Sequence, residues 1–189
     1  MEMRLPDEID YSAYDSNSGM ATRIWGSRLW GSLFTSIMGR YPFVVDYNST
    51  TDLNIVNTFS QMLVGLKDTL PCVFCRKSFE TFVKELPIEP YLKGRIELMY
   101  WLYLMKDKVN KKLICQEKIC YNDAKARLKG LFHHGDITEA DYYNKISDFK
   151  KATFVTVPSP TFKEVLDEYE SMRAVCSKMS LSCILATKD

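Results

Sequence analysis

The residues best suited to chemistry are Cys72-Val73-Phe74-Cys75, a C-x-x-C pair that directly follows Leu70-Pro71. The residue before a proline avoids helical geometry, so one helix is expected to end at Leu70-Pro71 and another to begin around Cys72. A cysteine at that place sits at the positive end of the helix dipole, where its thiolate is stabilised and its pKa falls. Cys75 lies one turn further in, close enough for a strained, short-loop disulfide of the kind poised for exchange. Arg76 and Lys77 add positive charge nearby. The competing reading is a zinc half-site completed by Cys115 and Cys120, because C-x-x-C pairs across a gap are also the usual signature of zinc. Two features count against it: no glycine-bearing turn surrounds Cys72, and a long amphipathic helix separates the two pairs.

All six cysteines fall in three close pairs: Cys72 and Cys75, Cys115 and Cys120, Cys176 and Cys183. The N-terminus, Met1 to Glu8, lacks the apolar core of a signal peptide. The expected chain is non-secretory, a setting in which paired cysteines point to metal binding or redox chemistry more than to a static disulfide framework. Cys115 and Cys120 read either as a small local disulfide or as two free thiols. His133-His134 has no carboxylate or thiol partner at ligand spacing, so no metal role is assigned there.

An exchanger of the thioredoxin type needs a βαβ context, and no convincing strand stands out. Helical patterns dominate instead. Trp25, Leu29, Leu33 and Ile37 share one face of an expected helix over 22–39. Ile55, Phe59, Met62, Leu63 and Leu66 mark a second, after the polar stretch Asn48 to Asp52 with its candidate N-caps. A third runs from about Cys72 to Leu86, closed by Pro87 and Pro90. In the fourth, Leu98, Trp101 or Leu102, Met105, Val109 and Leu113 step by three and four, with Lys106, Asn110, Lys111 and Lys112 on the other face. A short fifth helix is expected over 122–132, a capping box at Thr138 and Asp141 opens another, and 161–178 reads as helix again. Core packing is the default reading of Trp25, Trp30 and Trp101.

With 46% hydrophobic and 13% aromatic residues among 189, and only 8 Gly and 7 Pro, the chain can build one core and excludes turn-rich or collagen-like architectures. Twenty-five basic against 24 acidic residues leave a net charge of +1, which excludes a strongly basic nucleic-acid footprint. The longest apolar run, Leu98 to Met105, is far too short to span a bilayer. The fold expected is all-α: a four-helix bundle with a short fifth helix and a helical C-terminal extension. The organisation is an irregular segment over 1–21, a helical domain over 22–132 and the extension over 133–189.

Three blocks carry a resemblance. Trp25-Gly26-Ser27-Arg28-Leu29-Trp30-Gly31-Ser32-Leu33-Phe34 resembles the W-G-x-x-x-W-x-x-L-H opening of the Erv/ALR flavin-linked sulfhydryl oxidases. Leu70-Pro71-Cys72-Val73-Phe74-Cys75 resembles their [YL]-P-C-x-x-C site, and Trp101 to Leu113 resembles W-x4-H-N-x-V-N-x-x-L. Order and intervals match over about residues 25–130, and the Leu-Pro-Cys variant looks most like the members carried by large DNA viruses. The resemblance implies a helical bundle holding FAD, a homodimer, and a reaction that takes two electrons from a protein dithiol and passes them through flavin to oxygen as hydrogen peroxide. Cys72 would be the interchange thiol and Cys75 the flavin-proximal one. Trp30 and Trp101 would line the cofactor site, with Asn110, Lys111 and Lys112 toward its adenosine and phosphates.

Departures from the pattern fall on cofactor positions. The two family histidines are Phe34 and Lys106 here, and Asp107 replaces the next asparagine. Phe34 retains a ring that can stack, and Lys106 a charge that can pair with phosphate. The family's structural cysteine pair, about sixteen apart, is absent; Cys120 stands at its first position. Cys176 and Cys183 read as a tail dithiol relaying electrons to Cys72–Cys75, as a disulfide pinning the tail, or as unpaired thiols. The expected function is disulfide formation in proteins, in a virus-like setting within the host cytoplasm or virion. The alternative is a non-catalytic structural or interaction protein that keeps the fold with a decayed flavin site.

Overall fold

A computed structural model describes residues 19–177 and 182–185; the segment 1–18 lies outside the described residues. The described chain is almost entirely helical. α1 (Thr22–Arg40) buries Leu33, Phe34, Ile37 and Met38, one face of the expected pattern, and stops where Tyr41 turns extended ahead of Pro42. α2 (Thr50–Val64) starts at Ser49, whose hydroxyl accepts from the Asp52 N–H at 3.3 Å, and buries Ile55, Phe59 and Leu63. After Gly65, the short α3 (Leu66–Thr69) leads to Leu70-Pro71 and α4 (Val73–Glu85), which buries Phe79. A 3-10 turn (Glu89–Tyr91) precedes α5 (Arg95–His133).

The first half of α5 forms the centre of the core, with Leu98, Met99, Trp101, Leu102 and Met105 inaccessible to solvent. Its start is tied to the end of α1: the Arg95 Nε donates to the Tyr41 carbonyl at 2.8 Å, and the Tyr41 hydroxyl to the Leu92 carbonyl at 2.8 Å. Gly94 pairs there with Val44 in an isolated bridge. A Cβ on Gly94 would stand 2.5 Å from the Phe43 carbonyl oxygen, so the approach of the two segments requires glycine.

The separate fifth helix expected over 122–132 does not exist; α5 is continuous for 39 residues. From Arg95 to Lys129 the sequence contains neither Gly nor Pro, so nothing interrupts the backbone ladder. Beyond Met105 the only buried residue of α5 is Ala124, and there the helix pairs with α6 (Glu139–Thr153) to form a two-helix arm. Phe132 stacks on Tyr142, and Tyr121 meets Phe154, along that seam. Both members of the Thr138–Asp141 capping box are present at the start of α6.

A strap of residues 154–161 then returns along α5 to α7 (Phe162–Glu170), which packs on α1 and α5 through buried Val165 and half-buried Phe162 and Tyr169. The helix expected over 161–178 ends at Glu170. Two short antiparallel strands follow, β1 (Ala174–Ser177) and β2 (Ser182–Leu185), with Cys176 opposite Cys183. The all-α architecture is thus observed, with this hairpin as its one addition among the described residues. No described helix is long and apolar enough to cross a membrane.

Candidate active site

Leu70 and Pro71 hold the chain extended between α3 and α4, so that Cys72 becomes the N-cap of α4. Its sulfur accepts from the Cys75 N–H at 3.3 Å, taking one of the unpaired donors of the first turn. The Arg76 guanidinium donates back to the Leu70 carbonyl at 2.5 Å and fixes the bend. On the other side, Met20 donates to the Pro71 carbonyl at 3.1 Å, and Trp25 Nε1 donates to the Met20 carbonyl at 3.0 Å. Gly19 has a φ of 75°, and a Cβ there would stand 2.3 Å from the Pro71 oxygen. The start of α1 is in this way moulded against the C-x-x-C turn. Thr22, the first residue of α1, places its hydroxyl 3.4 Å from the Cys75 sulfur.

Both thiols are free and half-buried, and their environments differ in sign. Burial pushes the Cys72 thiol up, but hydrogen bonds from Cys75, from Thr22 and from the Phe74 backbone outweigh it and bring its pKa below the ordinary thiol value. Cys75 is raised: burial is the largest cause, and the hydrogen bond and charge of Cys72 add to it against the opposing pull of Thr22 and Lys112. Of the two, Cys72 is therefore the first to lose its proton and Cys75 the last. Because the thiolate is the reactive form, lowering the pKa moves the reactivity curve to lower pH. Alkylation by iodoacetamide, read peptide by peptide by mass spectrometry, is expected to modify Cys72 ahead of Cys75 near neutral pH. The Cys72 profile should inflect below that of a free cysteine and the Cys75 profile above it; the reverse order would contradict this assignment.

The two sulfurs open on a cavity of about 280 Å³ between α1, α4 and α5. Trp25, Leu29 and Trp30 of α1, Phe79 of α4, and Val109 and Leu113 of α5 make it largely apolar, with Thr22, Ser78, Lys112 and Gln116 as its polar members. Val73, and Phe74 at the cavity's rim, are exposed to solvent, so the Cys72 side of the pair is approachable.

Of the residues singled out in the sequence, Cys72, Cys75, Trp30 and Lys112 meet at this cavity. The others do not. Trp101 is fully buried in the core and donates from Nε1 to the Leu86 carbonyl at 3.0 Å. Phe34 is also fully buried, stacked on Tyr169 with ring centroids 5.0 Å apart, and the Lys106 ammonium lies 5.8 Å from its ring centre. Asn110 donates to the Ser159 hydroxyl at 2.9 Å, and Lys111 pairs with Asp107 at 2.6 Å on the surface.

Cys115 and Cys120 are exposed free thiols on α5. Five residues apart on a continuous helix they are separated by about 7.5 Å along the axis alone, beyond the Cα separation a disulfide bridges, so the local disulfide is excluded. Among the described residues, no group of three or more His, Cys, Asp or Glu side chains could hold a metal ion, and the zinc site built from both pairs does not form. The side chains of Cys176 and Cys183 lie outside the described part. Sequence reasoning missed Thr22 and took Trp25 for core; only its place at the start of a helix aimed at the C-x-x-C turn distinguishes Thr22.

Fold and site together define a helical protein whose free dithiol opens on an apolar, aromatic cavity. The sequence profile of the Erv1 / Alr family matches residues 27–129, more than half of the chain, and the chain belongs to that family of FAD-binding thiol oxidases. No curated protein matches it. Among solved structures, the crystal structure of yeast Erv1 core is similar at 24% identity and a TM-score of 0.42, over 59% of this chain and 80% of that one.

Proposed function

We propose that this protein is an FAD-dependent thiol oxidase that forms disulfides in protein substrates through Cys72 and Cys75. The observation that carries the reading is the unequal pair of free thiols lining an apolar, aromatic cavity. That lining fits a flavin ring: Trp25, Trp30 and Phe79 offer apolar faces for a planar group, and Lys112 offers a cation for its polar edge. When bound, FAD supplies the two-electron acceptor that returns the pair to its disulfide and hands the electrons to oxygen, giving hydrogen peroxide.

The chain's own residues do the exchange. With Cys72 and Cys75 joined, a substrate thiolate attacks the Cys72 sulfur on its accessible side, the Cys72–Cys75 bond breaks, and Cys75 leaves. Thr22 and Lys112 stabilise the negative charge that develops on the Cys75 sulfur. A second substrate thiol then attacks the mixed disulfide, releasing a substrate disulfide and Cys72 as thiolate. The hydrogen bond from the Cys75 N–H stabilises that leaving sulfur, and a lower leaving-group pKa speeds exchange. The working form is a homodimer. In a virus-encoded chain the substrates would be virion or assembly proteins, in the host cytoplasm or the particle.

One observation favours the non-catalytic alternative: Phe34 is stacked on the chain's own Tyr169, Asn110 is bonded to Ser159, and Lys106 lies over the Phe34 ring. The visible spectrum of the purified protein separates the two. Flavin-bearing protein that consumes oxygen in the presence of dithiothreitol is expected; folded protein that takes up no flavin would sink the oxidase reading and leave the structural one.

A further inference from the structure

Resting on the reading of Cys72 as the exchanging thiol, we infer that an apolar collar beside it, formed by Met20, Val73 and Phe74, selects client segments in which large apolar side chains flank the reacting cysteine. Val73 and Phe74 follow Cys72 directly at the start of α4 and are 46% and 73% exposed. Met20, whose N–H donates to the Pro71 carbonyl, is 67% exposed. The residue before it, Gly19, packs so closely that a Cβ there would stand 3.6 Å from the Cys72 Cα. Three large apolar side chains left in water close to one reactive sulfur form a surface that gains by being covered. A partner whose own sulfur reaches Cys72 comes to lie against it.

Backbone pairing does not hold that partner. Leu70, Pro71 and Cys72 run extended, yet the chain itself engages all three of their carbonyls: the Arg76 guanidinium donates to Leu70, the Met20 N–H to Pro71 and the Arg76 N–H to Cys72. A client strand laid along this stretch finds its acceptors taken, so recognition falls to side chains. Charge does not dominate it either, because the guanidinium one residue beyond Cys75 is turned onto the Leu70 carbonyl. What the collar offers is apolar area.

A small dithiol such as dithiothreitol gains nothing from that area. An extended polypeptide whose apolar side chains are not yet buried does. The client class is therefore the unfolded or partly folded segment with a cysteine among residues destined for a core, rather than the solvated surface thiol of a finished protein.

The test uses the Cys75→Ser chain, in which nothing beside Cys72 resolves an adduct. Two peptides of equal length and charge each carry one cysteine as its mixed disulfide with thionitrobenzoate. One has leucine and phenylalanine beside the cysteine, the other serine on both sides. The Cys72 thiolate attacks the peptide sulfur, the old disulfide breaks, and thionitrobenzoate leaves with the electron pair while the peptide stays on Cys72. This step needs no flavin, and its rate is read as adduct on Cys72 by mass spectrometry. The apolar peptide is expected to react about tenfold faster than the serine one. Adding Val73→Ser/Phe74→Ser should bring the two rates to within about twofold of each other. Each ratio is taken within one protein, so a change in the reactivity of Cys72 itself cancels. Equal rates for the two peptides before that change, or a preference that survives it, would overturn the collar. A parent chain that consumes no oxygen, with the preference intact in the Cys75→Ser chain, would end the oxidase reading and leave the collar standing.

Discussion

Cys75→Ser is expected to reduce oxygen consumption with dithiothreitol to the uncatalysed rate while the protein stays folded and keeps its flavin. Serine offers an oxygen at nearly the same place, so the contact with Thr22 and the packing against the core survive, but no disulfide can form with Cys72. The remaining Cys72 keeps the backbone hydrogen bond that favours its thiolate. It therefore still attacks an oxidised monothiol such as glutathione disulfide, and the mixed disulfide left on Cys72 has neither Cys75 nor a second thiol of the same substrate to resolve it. Mass spectrometry should find a trapped adduct on Cys72 in this variant and none in the parent. Turnover retained by Cys75→Ser would remove Cys75 from the redox pair and leave its raised pKa without a role.

The largest effect on stability is expected at Trp101. Its side chain is fully buried among Leu98, Leu102 and Met105, and its Nε1 holds the carbonyl of Leu86 at the end of α4. Trp101→Ala removes a large aromatic from a close-packed core, at a cost of about 3–5 kcal/mol, and leaves the Leu86 carbonyl without its donor. For a chain of this size that corresponds to a fall in melting temperature of roughly 6–20 °C. Trp101→Phe restores most of the volume but not the donor, so it should recover most of the loss. Thermal unfolding followed by circular dichroism checks both. A Trp101→Ala protein that melts within a degree or two of the parent would show that the core closes around the gap.

The elements that frame the thiols were legible because their signals are local. α1, α2 and α4 have apolar residues three and four apart and a proline or glycine near the end, and α2 and α4 have a serine or a cysteine at the cap. The continuity of α5 was hidden by its composition. From Lys106 onward most of the helix faces water, and a solvated helix needs no apolar stripe, only the absence of breakers. The hairpin near the C-terminus was hidden for the opposite reason, since strands of four residues carry too little alternation to compete with a helical pattern.

The site divides in the same way. Cys72 and Cys75 announce themselves by spacing and by the proline before them. Trp30 and Lys112 joined them only through the family blocks, because both lie far along the chain from Cys72 and Cys75 and no local pattern ties them to that pair. Contacts across long stretches of chain were out of reach. Thr22 is 53 positions from Cys75, and Ser159 is 49 from Asn110. Trp101 shows the converse, a tryptophan in a family motif whose place is the plain core that its helical face already suggested.

The cap at the head of α4 has a consequence for redox poise. Whatever holds the Cys72 sulfur as an anion holds the dithiol form of the pair, since that hydrogen bond is worth most when the acceptor is charged. Stabilising the reduced form raises the reduction potential of the couple. The amide that merely completes a helical turn thus makes the oxidised pair hungrier for electrons, and tilts the first transfer toward taking them from a client protein.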